Sequence, residues 1–234
     1  MNDLTAAFHL ALSLILDVDR ALLDIVLLSL QVSLTAVAAG ALIGLPMGAA
    51  VALVPFRGRQ AAVLLLNSAM GLPPVVVGLL LYLLLSRSGP LGAFGLLFTP
   101  AAMAVAQTIL VLPIIAALTR QVIETLWEEY AEQLCSMGCS RLRAVPTLLW
   151  DARYSLATVV LAGFGRAIAE VGAVIIVGGN IGGFTRTMTT AIVLETSRGD
   201  LPMALAFGTV LILLATGINA ASLFIAHLTR EGIG

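Results

Sequence analysis

"IVLLSLQVSLTAVAAGALIGLPMGAAVALVPF", residues 25–56, contains no charged side chain. A helix needs roughly 20 mostly apolar residues to cross about 30 Å of hydrocarbon, and this run is longer than that. Residues 60–86, 88–119 and 201–229 are equally free of charge, and Tyr154 to Thr185 is interrupted only by Arg166 and Glu170. Five spans are expected, at about 25–54, 61–85, 96–118, 155–178 and 203–226. The chain therefore reads as an all-α membrane protein whose first partner is the lipid bilayer.

Composition points the same way. Of 234 residues, 60% are hydrophobic and 11% charged, against about 25% charged in soluble domains. The net charge of −1 argues against a nucleic-acid partner, which would require a basic face. Cys135 and Cys139 are spaced to share one helical face, and the reading is small buried side chains. A zinc site would need four ligands, and His9 and His227 stand at the chain ends.

The connections at 56–60 and 86–95 are short, so neighbouring spans should run antiparallel. Five spans put the termini on opposite sides. With the N-terminus outside, Arg57, Arg59, Arg120, Arg141, Arg143, Arg153 and Arg230 face the cytoplasm, against Arg20, Arg87, Arg186 and Arg198 outside. The positive-inside bias favours this orientation, with a cytoplasmic C-terminus. Before the membrane body at 23–230, residues 1–22 lack the basic start of a signal peptide. Leu4, Phe8, Ala11, Leu12, Ile15 and Leu16 form one helical stripe there. It fits either an interfacial amphipathic helix or a lead-in packed on its neighbours.

Pro46, Pro73, Pro74 and Pro113 stand inside apolar runs. Breaks of this kind are tolerated in a membrane where neighbours or a water-filled cavity satisfy the freed carbonyls.

One segment is out of character. Residues 120–153 hold nine of the chain's 25 charged residues. Val122, Leu126, Ala131 and Leu134 recur at helical spacing between Glu124, Glu128, Glu129 and Glu132, and Gly138 should stop the helix. An apolar stripe beside acids suits a helix set into a partner's groove.

Glu132 followed by Gly138 six residues later, in a loop before the last two spans, resembles the "EAA" loop of ABC-importer permeases. Gln133 and Leu134 stand where that family usually has two alanines, and Trp150 and Asp151 where it often has Leu-Pro. "LPPVVVGLLLYLLL" (72–85) resembles a segment of molybdate-type oxyanion permeases. "GRAIAEVGAVIIVGGNIGGFTRTMTTAIVLETSRGD" (165–200) closely resembles tungstate ABC-transporter permeases. The resemblance covers about residues 25–230. It implies a type I importer core of five helices, working as a homodimer with two ATPase subunits and an extracytoplasmic tungstate-binding protein. It also implies that the loop at 119–153 is a cytoplasmic coupling element, with Glu128, Glu129, Glu132, Leu134, Met137, Gly138, Arg141 and Arg143 meeting the ATPase.

All twelve cationic residues are arginine. A Walker A loop needs a lysine at the β/γ-phosphates, so no cofactor is expected in this chain; ATP and Mg belong to the partner ATPase.

Candidates for handling an oxyanion lie in the third and fourth spans and just beyond. Arg166 and Glu170, at i and i+4, read as an intrahelical ion pair or as a gate, since charges at membrane depth face the bundle interior. "GGNIGGFTRTMTT" (178–190) offers an anion-binding nest with Asn180, Thr185, Arg186, Thr187, Thr189 and Thr190 as added donors, or a loop that docks the binding protein. Gln107 and Thr108 are pore candidates whose default is helix packing. Molybdate or sulfate could replace tungstate as cargo. An ion-coupled secondary transporter would require more midplane ionisable residues than Arg166 and Glu170. An intramembrane hydrolase lacks a nucleophile–base pair.

Overall fold

The computed structural model describes Ser13 and residues 20–231 of the chain. The interfacial segment expected at 1–22 falls almost wholly outside the described residues. Those residues form helices α1 (Arg20–Leu53), α2 (Arg59–Met70), α3 (Pro74–Leu85), α4 (Pro100–Ser136), α5 (Arg141–Asp151), α6 (Arg153–Ile168), α7 (Gly172–Gly178), α8 (Met188–Arg198) and α9 (Leu201–Glu231), with a 3₁₀ turn at Gly92–Phe94. No strand occurs among them.

Three helices, α1, α4 and α9, are long and apolar enough to cross a membrane; counting α2–α3 and α6–α7 as one broken span each raises the number to as many as five. The break before α3 has a plain cause: Gly71 ends α2, and Pro74 stands at the first helical position of α3, where its missing N–H is no loss. Pro46 and Pro113, by contrast, lie inside continuous helices.

The helix that carries the third span runs on unbroken past 118 to Ser136, so most of the connection at 119–153 is helix, first as an extension of α4 and then as α5. One expectation is corrected. Cys135 and Cys139 do not share a helix: Gly138 separates them, Cys135 is exposed and Cys139 half-buried.

The described residues fall into two compact units. One draws on the described residues up to 36 and on 73–107 and 167–217. In it α3 packs along α7, burying Val77, Leu81, Ala173, Val174 and Val177, and the N–H of Phe98 donates to the Val177 carbonyl at 2.8 Å. The hydroxyl of Ser29 on α1 accepts the N–H of Met188 at 2.8 Å, capping α8 from 159 residues away.

The other unit draws on 37–72, 108–166 and the described residues from 218 onward. Here Gly40, Gly44 and Gly48 line one side of α1 against Val111, Ile115, Ala116 and Thr119 of α4. This small-xxx-small stripe lets two backbones approach closely. Below it Ala49, Ala52, Leu53, Ile123, Ala144, Leu148, Ala152 and Leu156 form a continuous core.

Large apolar side chains remain exposed on both units, among them Leu42, Leu64, Leu65, Leu80, Ile212 and Leu213. A patch of this extent is costly in water; lipid removes the cost.

Candidate functional site

The charged segment is built as a helical hairpin. Gly138 adopts φ +73°. The Cys139 N–H donates to the Leu134 carbonyl and the Gly138 N–H to the Cys135 carbonyl, both at 2.9 Å. This is the Schellman pattern, and it requires a residue that tolerates the left-handed region. The chain then turns into α5, whose Ala144 and Leu148 are buried against Ile123 of α4 and Leu53 of α1.

That packing changes the reading of the apolar stripe. Val122, Leu126 and Leu134 face this core and are not free to enter a partner's groove. What the hairpin presents outward is Glu128, Glu129, Glu132, Gly138, Arg141 and Arg143, all exposed, with Met137 83% and Leu142 66% exposed. Leu134, placed among the coupling residues on sequence grounds, is half-buried. The Tyr130 hydroxyl is held above its ordinary pKa, chiefly by the neighbouring Glu129 carboxylate and then by Asp151, with desolvation and a hydrogen bond to Glu129 adding to the rise.

Beside the hairpin lies a network that sequence reasoning missed. The Glu124 carboxylate accepts Arg59 on one oxygen and Arg120 on the other. Arg59 also donates from Nε to the Val51 carbonyl at 2.9 Å and from Nη2 to the Ala52 carbonyl at 3.1 Å. It thereby satisfies two carbonyls near the α1 C-terminus, where intrahelical partners run out. One guanidinium thus holds the α1–α2 corner to α4. The i,i+4 spacing of Arg120 and Glu124 was a visible signal; the partner 65 residues away was not. Arg59, Arg120, Glu124, Trp127, Glu128 and Arg141 line a pocket of about 550 Å³.

The pathway candidates lie elsewhere. α6 ends at Ile168, so Glu170 stands in the break and not one turn above Arg166 on a continuous helix. Arg166 is half-buried in the last turn of α6. The Glu170 carboxylate accepts the Ala173 N–H at 3.1 Å, one of the first-turn donors of α7 that have no partner within the helix. The buried Gln107 donates from Nε2 to the Ala167 carbonyl at 3.0 Å, which also accepts the Glu170 N–H at 3.1 Å where α6 stops. Its Oε1 is buried without a partner. Thr108 is half-buried.

Much of the hydrogen-bonding capacity of the loop at 178–190 is turned inward. Thr185, Thr187, Thr189 and Thr190 are buried and hydrogen-bonded internally. Thr185 donates to the Gly178 carbonyl at 2.5 Å and accepts the Ile181 N–H at 3.0 Å. The N–H groups of Phe184, Thr185 and Arg186 turn onto the Ile181 carbonyl. These groups close the loop, leaving few donors for a ligand. Asn180, half-buried, donates to the Thr190 carbonyl at 3.4 Å. Arg186 borders a pocket of about 250 Å³ with Asp24, Ile25, Leu28, Gly183 and Phe184, and its Nε is buried without a partner.

Residues 40–231 match the family described as binding-protein-dependent transport system inner membrane component. The chain is 42% identical over 204 residues to a probable anion ABC transporter permease protein of Haloferax volcanii, spanning 85% of this chain and 88% of that protein. It is 39% identical over 220 residues to the tungstate uptake system permease protein TupB of Peptoclostridium acidaminophilum, spanning 94% and 96% respectively. With TupB of Campylobacter jejuni the identity is 43% over 172 residues, spanning 74% and 70%. Permeases named for sulfate transport are more distant. The relatives are named as transport proteins, and none as an enzyme.

Proposed function

The chain belongs to the family of binding-protein-dependent transport system inner membrane components, and from that premise we propose that it is the permease of an ATP-driven importer of tungstate. The observation that carries the cargo is the likeness to two tungstate uptake permeases, one of them along nearly the whole chain. In this reading five spans, two of them broken, form each half of a homodimer. The N-terminus lies outside, where a tungstate-binding protein delivers the anion, and the hairpin of α4 and α5 lies in the cytoplasm against one of two ATPase subunits. ATP and Mg are held by those subunits.

Support for the coupling role comes from the hairpin's construction. A core of its own holds its inner face, so a push on Glu132, Met137 or Arg143 is delivered to α4 and α1 and not absorbed by a flexible loop. Arg166, Glu170 and Gln107 are proposed to line the pathway, with Thr108, Asn180, Thr185 and Arg186 as structural or flanking members.

Reconstitution with the ATPase and binding protein tests the reading. Tungstate uptake into liposomes should require ATP and outcompete sulfate and molybdate; uptake without the ATPase, or a preference for sulfate, overturns it. Met137→Asp should leave folded yield intact while lowering uptake about tenfold or more. Arg166→Ala should lower uptake more than folded yield.

A further inference from the structure

We propose that the pocket bounded by Arg59, Arg120 and Arg141 binds a tetrahedral oxyanion of the phosphate or sulfate type, a second anion site apart from any transport pathway. The donor inventory is uneven. Both oxygens of Glu124 are taken, one by Arg59 and one by Arg120. Arg59 also gives Nε to the Val51 carbonyl and Nη2 to the Ala52 carbonyl. Arg120, however, uses only one terminal nitrogen on Glu124, and its Nε is buried with no acceptor. Arg141 has no ion pair or hydrogen bond among the described residues and lies over the Trp127 ring, 5.5 Å from its centre.

Three arginines against Glu124 and Glu128 leave the lining with a surplus of one positive charge. A volume of about 550 Å³ admits an anion with part of its hydration shell. Planar guanidinium groups present paired N–H donors that match two oxygens of a tetrahedral anion. An anion here would meet the terminal nitrogen that Arg120 does not use on Glu124 and give Arg141 a charged partner it lacks. The same chemistry is offered by a free anion and by the phosphate of a lipid headgroup. Either would cross-link the α1–α2 corner to the first residue of α5.

The test uses the full chain in nanodiscs of phosphatidylcholine, with radiolabelled sulfate binding as the measurement and chloride at equal ionic strength as the control. Saturable sulfate binding is expected, weakened at least tenfold in Arg141→Gln and less in Arg141→Lys. Arg141→Gln removes no hydrogen bond, so it should fold as the parent does. In a Trp150→Phe background Trp127 is the sole tryptophan, and sulfate should change its emission over the same concentration range. Phosphatidylglycerol in the nanodiscs distinguishes the sources: suppression of sulfate binding identifies a headgroup occupant, and unchanged binding a free anion. No saturable binding, or binding unaltered in Arg141→Gln with Trp127 emission unmoved, overturns the proposal. Because no ATPase or uptake enters the measurement, its failure is separate from failure of the transport reading.

Discussion

The hydroxyl of Thr189 donates to the backbone carbonyl of Glu170 at 2.8 Å, tying the first turn of α8 to the break between α6 and α7. A helix break at membrane depth leaves carbonyls that no water reaches, and they must be satisfied from neighbouring elements. Two side chains donate to carbonyls at this break, Thr189 to that of Glu170 and Gln107 to that of Ala167, while the Glu170 carboxylate accepts the Ala173 N–H on its far side.

Thr189→Val keeps the shape and removes the donor. An orphaned buried acceptor costs about 1–3 kcal/mol, while interhelical hydrogen bonds in bilayers average about 0.6 kcal/mol. We expect a loss near 1 kcal/mol for Val and about half that or less for Ser, which keeps the hydroxyl. Thermal unfolding in detergent reads the difference. Equal losses for Val and Ser would mean that packing, not the hydrogen bond, holds the break.

Gly138 has open space where a Cβ would stand, so any cost of substitution comes from its positive φ alone. Gly138→Ala should therefore destabilise the hairpin by about 1–2 kcal/mol, and Gly138→Asn by less, because Asn visits this region more readily. Hydrogen exchange over residues 130–145 should rise in the order glycine, Asn, Ala. A protein in which Ala behaves as wild type would show that the Schellman turn does not set the hairpin.

The long helices were legible because an uncharged run has few alternatives in lipid, and Gly138 because a helix-stop glycine follows an amphipathic run. The break at residues 169–171 was not legible. "AEV" contains neither glycine nor proline; it depends on Thr189 and Gln107, contributed from elsewhere in the chain. α8 was hidden for a related reason. Its threonines read as a polar surface, yet Thr187 and Thr190 form a capping box and Ser29 supplies a further acceptor. Donor-rich composition shows that hydrogen bonds will form, not with whom. The apolar stripe at Val122, Leu126 and Leu134 carried the same ambiguity: periodicity identifies a buried face but not whether the chain itself or a partner buries it.

At Gly48 the backbone of α1 comes close to that of α4. A Cβ there would stand 2.4 Å from the Ala116 carbonyl oxygen and 2.8 Å from the Thr119 Cβ. Backbone cannot yield as a side-chain tip can, so the helices must separate. At Gly40 the nearest atom is the end of Val111 at 3.5 Å, an ordinary contact. Gly48→Ala should cost about 1–3 kcal/mol and Gly40→Ala well under 1 kcal/mol, measured as unfolding midpoints in one detergent. Equal effects would place the close approach elsewhere on the helix.

The bridge from Arg59 to Glu124 should act as a strut between the α1–α2 corner and the base of the hairpin, and a double-mutant cycle isolates it. Arg59→Met keeps the apolar stem and loses the guanidinium; Glu124→Gln keeps the shape and loses the charge. Arg59 is 37% exposed and Glu124 27%, between a surface pair worth about 0–1 kcal/mol and a buried one whose breakage costs about 3–5 kcal/mol. A coupling energy of about 1–2 kcal/mol is expected. Raising salt from about 0.1 to 1 M shortens the screening length from about 10 to 3 Å, so the coupling should shrink without vanishing, because Arg59 keeps its bonds to the Val51 and Ala52 carbonyls. Glu124→Gln should also release Arg120, whose only acceptor among the described residues is that carboxylate, making it the more harmful single change. If Arg59→Met proves the worse of the two, the α1 carbonyls and not the carboxylate are what the arginine is there to hold.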